Sequence, residues 1–143
     1  MTNPLTPQET ETRALVEAFA ARVTEGDPER VAALFAERVD WMIADNPDVP
    51  WIRPRSTRAD VADHFTELAA GVEPVAGGEP VVGAVLVDGA DAVVTGMLTG
   101  RVRATGKPFR APYALRLTVE QGLLTRYHLY EDGVAVAAAC REG

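Results

Sequence analysis

Few residues in this sequence can do chemistry at neutral pH, and they are scattered. Its only histidines are His64 and His128, and imidazole is the one side chain that titrates near neutrality without help. Asp40 interrupts a short apolar stretch, Val39–Ala44, Asp45 follows it, and Glu131 closes a longer one that begins at Leu123. A carboxylate desolvated in such a place has a raised pKa and can act as a base. Glu131 could equally be a rim carboxylate paired with an arginine. Tyr127 could donate a hydrogen bond to a ligand carbonyl or be a satisfied core tyrosine. Trp41, Trp51 and Tyr113 could line an apolar pocket or belong to the core. Arg101, Arg103, Arg110 and Arg116 could clamp a carboxylate if two share a face; otherwise they mark a solvated face or a dimer interface. No Gly-rich phosphate loop and no metal-ligand cluster is present, so no cofactor is expected. The single cysteine, Cys140, excludes an internal disulfide; it could link two chains, or serve as a small apolar residue.

These groups must be positioned by a sheet. The stretch Asp91–Asp132 contains three runs rich in Val, Leu, Thr, Tyr and Phe, broken at Thr105-Gly106-Lys107 and Glu120-Gln121-Gly122. That pattern predicts an antiparallel meander. A fourth strand, Pro80–Asp88, precedes it across Asp88-Gly89-Ala90-Asp91. Pro112, inside a long run, implies a bulge or an edge. Alternation along the last strand places Thr125, Tyr127, Leu129 and Glu131 inward and Arg126, His128 and Tyr130 outward.

Upstream the pattern is mostly helical. Thr6, Pro7 and Glu9 form a capping box for a helix running to about Glu25, with Leu15, Val16, Phe19, Ala20 and Val23 on one face. Gly26 ends it. Asp27-Pro28-Glu29 opens a second helix that turns Val31, Leu34 and Phe35 inward. Val39–Ala44 reads as a strand. Asp45–Arg55 holds three prolines and predicts an irregular loop. Trp51 and Ile52 make that loop too apolar for free solvation, so it should fold back on the domain. Thr57 and Asp60 cap a third helix with the stripe Val61, Phe65 and Leu68, closed by Gly71. On that helix His64 is expected in solvent unless a turn swings it to a pocket edge. Val72–Glu79 is expected to be irregular, and Val134–Cys140 to form one or two closing helical turns.

A chain of 143 residues implies one domain across 1–143, with residues 1–6 as a flexible tail. A net charge of −7 argues against nucleic acid and anionic membrane surfaces as partners. No apolar run reaches membrane-spanning length, and the start has neither a basic region nor an apolar core, so a cytoplasmic protein is expected.

The predicted architecture is an α+β cone, three N-terminal helices packed on a curved antiparallel sheet. Its order resembles the NTF2-like superfamily, in its SnoaL-like and ketosteroid-isomerase-like branch. The resemblance spans about residues 8–140. It is carried by Gly26-Asp27-Pro28, by Ala33-Leu34-Phe35-Ala36 leading into Val39-Asp40-Trp41, and by Arg58-Ala59-Asp60-Val61-Ala62. At the end it is carried by Glu120-Gln121-Gly122-Leu123-Leu124-Thr125-Arg126-Tyr127 running into Tyr130-Glu131-Asp132. The resemblance implies an apolar pocket between helices and sheet, a small-molecule ligand, and a homodimer through the outer sheet face, where His128 would lie. Enzymes of the branch move a proton beside a carbonyl with a carboxylate, or open epoxides with paired carboxylates and an arginine.

The catalytic side chains of those enzymes are not repeated here. An isomerase-type base falls at Ile43, its oxyanion tyrosine at Phe19, the supporting tyrosine at Phe65 and the oxyanion acid near Leu115. A cyclase-type His and Asp fall at Tyr127 and Leu129. The epoxide-hydrolase Arg and Asp fall near Met97 and Thr99. Asp45, two residues past the isomerase base position, is therefore the first acid candidate, with Glu131 second and Tyr127 or Tyr113 orienting the oxygen. Phe19, Trp41, Ile43, Trp51, His64, Phe65, Met97, Tyr113, Leu115 and Leu129 are the expected ligand contacts. The resemblance implies proton transfer on an apolar carbonyl compound, in isomerase, cyclase or hydratase style. Its alternative is a non-catalytic apolar-ligand binder or a dimeric interaction module.

Overall fold

The computed structural model describes residues 4–76 and 81–142. Pro80, expected to open a strand, residues 77–79 of the expected irregular segment, and residues 1–3 of the expected tail lie outside them. The first helix, α1, spans Pro7–Glu25 behind the Thr6/Glu9 capping box and ends at Gly26 in the left-handed region (φ 79°). Val16 and Phe19 bury against the sheet at 1% and 6% exposure, whereas Val23, expected on the same face, is 38% exposed. Glu9 and Thr12 fasten this helix to the sheet. The Glu9 carboxylate accepts from the Gly89 amide at 3.1 Å, and the Thr12 hydroxyl donates to the Gly89 carbonyl at 2.9 Å.

The second helix, α2, is a short one, Pro28–Ala32, capped by Asp27. Strand β1 then runs Phe35–Ile43, starting four residues earlier than the apolar run suggests. Phe35 is inward and fully buried, but as a strand residue. The proline-rich loop follows, and its predicted fold-back is observed: Val49 and Trp51 are buried, and Trp51 lies on Gly71, where a Cβ would meet its ring at 3.1 Å. Helix α3 spans Arg58–Gly71.

At the cap of α3 the Thr57 hydroxyl accepts from the Asp60 amide (3.2 Å) and the Asp60 carboxylate from the Thr57 amide (3.1 Å). Removing one half of such a box costs about 1 kcal/mol. Thr57→Ala should therefore lower stability by about 1 kcal/mol in denaturant unfolding, with an unchanged m-value.

Strand β2, Val72–Glu73, pairs with Val102 and Arg101. It corrects the irregular reading of this segment, because the chain leaving α3 meets the free edge of a neighbouring strand. The meander is as expected: β3 Val81–Asp88, β4 Asp91–Val102, β5 Pro108–Glu120 and β6 Leu123–Glu131. The β5–β6 turn has positive φ at Gln121 (52°) and Gly122 (77°), the two-residue hairpin geometry that matches strand twist. Pro112 lies inside β5, where it is exposed and pairs Met97.

The sheet is not wholly antiparallel. β1 lies parallel to β6, in the order β1-β6-β5-β4-β2 with β3 also on β4. Of the four helices among the described residues, two precede β1 and α3 follows it. The fourth, α4, Gly133–Cys140, closes the chain and is capped by Asp132.

Two apolar clusters result. One joins α1, α2 and α3 to the inner sheet face around Phe35, Leu117 and Leu124. The other joins Val49 and Trp51 to Val102, Ala111 and α4, with Cys140 packed against it as a small apolar residue. No described helix is long and apolar enough to cross a membrane.

Candidate functional site

The register decides which side chains meet inside the cone. On β6, Tyr127 and Leu129 are buried and Glu131 is half-buried, on the same face by alternation. Their partners across β5 are Leu117, Leu115 and Tyr113. Across β1, Trp41 pairs Tyr127 and Ile43 pairs Leu129. The Trp41 and Tyr127 rings stack 4.0 Å apart at 8°. Phe19 and Phe65 approach Tyr127 edge-on at 6.1 and 6.4 Å. Phe19, Tyr127 and Leu115 are core, while Trp41, Ile43, Phe65 and Tyr113 are partly exposed and form an apolar wall.

At the open end of this wall, between the ends of β1 and β6 and the start of α4, lies a cleft of about 500 Å³. Ile43, Asp45, Leu129 and Glu131 line it. Two contacts tie its loop to α4: Asn46 Nδ2 donates to the Gly133 carbonyl (3.0 Å), and Arg141 Nε donates to Asp48 (2.7 Å).

Glu131 is the singular group here. It has neither a hydrogen bond nor an ion pair among the described residues, so the rim-arginine reading does not hold. Burial, then the neighbouring Asp132, pushes its carboxyl above the ordinary value. Tyr127 lies close enough that Glu131 and Tyr113 add to the dominant effect of burial in raising its phenol. Burial also raises Tyr113. The arrangement is a carboxylate disposed to hold a proton, beside two phenols disposed to keep theirs.

The other candidates separate. Asp45 is exposed at the cleft mouth. Asp40 lies on the outer face, 3.1 Å from Arg126 Nε and 2.9 Å from His128 Nε2, the latter not aligned as a hydrogen bond. His128, and secondarily Arg126, hold the Asp40 carboxyl below its usual range. Met97 alternates with the inward Gly96 and Leu98, so it faces outward. Trp51 packs in the second cluster, away from the cleft. The arginines form no clamp in the cleft: Arg101 and Arg103 pair Glu73, and Arg116 pairs Asp91. No group of three or more metal-ligating side chains occurs among the described residues.

His64 corrects the expectation of a solvated side chain: it is 3% exposed. Its ring lies 4.8 Å from Trp41 and 5.0 Å from Phe65. Burial, then the Arg55 guanidinium, lowers its pKa to about 4, while the Trp51 backbone pulls the other way. The spacing 61, 64, 65, 68 is itself a helical stripe and could have disclosed this burial. Arg55 escaped attention too, and nothing in its local sequence marks it. Its side chain is 2% exposed, and it donates to Glu67 at 3.1 Å and to the Trp51 carbonyl at 3.2 Å. Arg53, then Arg55, holds Glu67 down to about 2.

A curled sheet with helices across its concave face and a cleft at the strand ends defines an NTF2-like protein. The SnoaL-like domain model matches residues 16–127, and the chain belongs to that family. An NTF2-like protein from Burkholderia xenovorans LB400 superposes with a TM-score of 0.80 at 26% identity, covering 93% of this chain and 98% of its own. A protein of ketosteroid-isomerase-like fold from Catenulispora acidiphila DSM 44928, solved with trimethylamine, gives 0.73 at 19%, covering 97% and 96%. A proposed SnoaL-like polyketide cyclase from Jannaschia sp. CCS1 gives 0.74 at 19%, covering 97% of both chains. No curated protein matches the sequence significantly.

Proposed function

We propose that this chain is an enzyme that moves a proton beside the carbonyl of an apolar small molecule. Glu131 is the base, and the hydroxyls of Tyr113 and Tyr127 receive the oxyanion. The observation that carries this reading is Glu131: a half-buried carboxylate, unpaired among the described residues, on an apolar wall beside two phenols. A carboxylate in that setting is more basic than in water, and protonated phenols are oxyanion donors. Asp45 is exposed at the mouth of the cleft, whereas Glu131 is half-buried. Ile43, Leu129, Trp41 and Phe65 supply the apolar contacts. The test is incubation in D2O with 2-tetralone and related apolar ketones, read by mass spectrometry. Deuterium incorporation above a protein-free control is expected; its absence across the panel defeats the proposal.

A second reading is favoured by a specific pattern: Phe19, Ile43, Phe65, Leu115 and Leu129 are apolar where the family's catalytic groups fall. On it the cleft binds an apolar ligand without turnover, and saturable binding with unchanged recovery of the compound is expected.

The working form we propose is a cytoplasmic homodimer joined through the outer sheet face, where Leu86 and Tyr130 are 61% and 54% exposed. Tyr130→Glu would bury a charge in that interface. It should convert a dimer to a monomer in light scattering; a protein that is monomeric to begin with counts against the proposal.

A further inference from the structure

Met42 and Tyr130 belong to two places at once. Met42 is level with His128 on the neighbouring strand, and Tyr130 lies two residues beyond His128, so alternation puts both on the outer face of the sheet. Both also line the cleft, together with the inward Ile43, Leu129 and Glu131. The cleft therefore wraps around the ends of β1 and β6 and opens onto the outer face. Its rim on that side is exposed: Tyr130 at 54%, and Val134, a lining residue at the start of α4, at 79%.

The outer face itself has two halves. Beside the cleft it is apolar, with Tyr130 level with Ala114 and Pro112 level with Met97. Farther along, Arg126 bridges Asp40 (3.1 Å) and Asp91 (3.7 Å), and Arg116 pairs Asp91 (3.3 Å). The open face of an antiparallel sheet is ordinarily polar, and an apolar area continuous with a ligand cleft marks an interaction surface. A second copy suits it on charge. A two-fold pairing uses the same patch twice. Here Arg116 and Arg126 offset Asp40 and Asp91, so two such faces can meet without the repulsion that a net charge of −7 imposes on the chain as a whole.

We propose that a second copy of this chain, seated on the outer sheet face, forms the missing wall of the cleft, so that the ligand site is complete only in the dimer. This rests on the dimer and on the cleft as a ligand site, both proposed above, and not on catalysis by Glu131. Its consequence is reciprocal coupling: dimerisation tightens ligand binding, and the ligand tightens the dimer by the same factor.

The first test needs no ligand. Hydroxyl radicals oxidise exposed methionine and tyrosine side chains, and mass spectrometry reads each one. Met42 and Tyr130 are expected to oxidise several-fold more slowly in the native dimer than in Leu86→Glu. Leu86 is 61% exposed on the same face, in the row of Val93, Arg116 and His128, and does not line the cleft. A charge there should split the dimer and leave the cleft's own residues intact. Dilution of native protein until it dissociates should unmask the same two residues, which decides the matter even if Leu86→Glu fails to fold. Calorimetry with 2-tetralone then reads the coupling: binding is expected to be about tenfold weaker to Leu86→Glu than to the native dimer. A native protein that is monomeric at every concentration overturns this inference and the proposed dimer together. A dimer in which Met42 and Tyr130 oxidise as freely as in the monomer overturns this inference alone. So does 2-tetralone binding that is equal, or undetectable, in both forms. Deuterium exchange at the same rate in Leu86→Glu and the native protein would sink this inference and leave the proton-transfer reading standing. Protection and coupling without exchange would do the reverse.

Discussion

Glu131→Gln is expected to cut deuterium exchange into a bound ketone by about a hundredfold or more, the usual contribution of a positioned base, and at the same time to raise the melting temperature at pH 7. The second effect follows from the direction of the carboxyl's shift. Its pKa is raised by burial and by Asp132, so the folded state holds the proton more tightly than the unfolded chain does. Such a group favours folding below its unfolded pKa and loses that contribution as pH rises through its folded value. Above that range the buried, unpaired Glu131 carboxyl is therefore a cost, and glutamine removes it while keeping the shape. Well below the ordinary value of 4.5 both side chains are neutral in both states, and the two proteins should melt alike. The pair of measurements separates a base from a spacer: a stabilised variant that still exchanges deuterium would move the base elsewhere, with Asp45 next to be replaced. A variant neither stabilised nor slowed would remove Glu131 from the account. Stability surrendered at one residue for activity is the usual signature of a working site.

The second large effect is on pH and stability, through His64. Its pKa falls from 6.5 to about 4 on folding, chiefly because the ring is buried and secondarily because Arg55 is close. Between those values the unfolded chain takes up a proton that the folded protein refuses, so stability falls as pH drops from 6.5 to about 4. At 1.36 kcal/mol per unit, the loss attributable to His64 is about 3 kcal/mol. Denaturant titrations of the native protein and of His64→Phe should differ by that amount more at pH 4 than at pH 7. A difference independent of pH would mean the imidazole is solvated or protonated in the fold. Glu67 acts in a lower window. Held down to about 2 by Arg53 and Arg55, it supports the fold above pH 4.5 and releases that support as pH falls toward 2. Below pH 4 the acid limb should therefore follow the Arg55–Glu67 pair and not the histidine.

Local chemistry made most of the fold legible. Thr6-Pro7-Gln8-Glu9 and Thr57-Arg58-Ala59-Asp60 mark helix starts with hydrogen bonds that two residue types determine, and both capping boxes form. Gly89, Gly106 and Gly122 each occupy a turn at positive φ. What escaped prediction depends on partners distant in sequence. The parallel seat of β1 beside β6 has no local signature, and Val72–Glu73 is a strand only because β4 offers an edge. Within the site, alternation placed Tyr127, Leu129 and Glu131 on one face. Whether Glu131 found a cation was a matter of tertiary surroundings and could not be read from its neighbours in the chain. His64 was legible in principle, since it shares the stripe of Val61, Phe65 and Leu68. A polar residue on an apolar stripe is usually assigned to solvent, and here that assignment fails.

The pairing of β1 with β6 also has a bearing on how the chain reaches this state. The first strand hydrogen-bonds to the last, and Trp41 cannot stack on Tyr127 until the whole meander exists. During synthesis α1, α2 and β1 emerge early and wait with Phe35 and Trp41 uncovered. A topology dominated by such distant pairings folds slowly, because loop closure must precede any stabilising contact. The waiting N-terminal half is then the stretch most open to self-association before completion. A fragment ending before β6 should be insoluble or chaperone-bound, and a circular permutant that makes β6 and β1 neighbours in sequence should fold faster with the same final pairing.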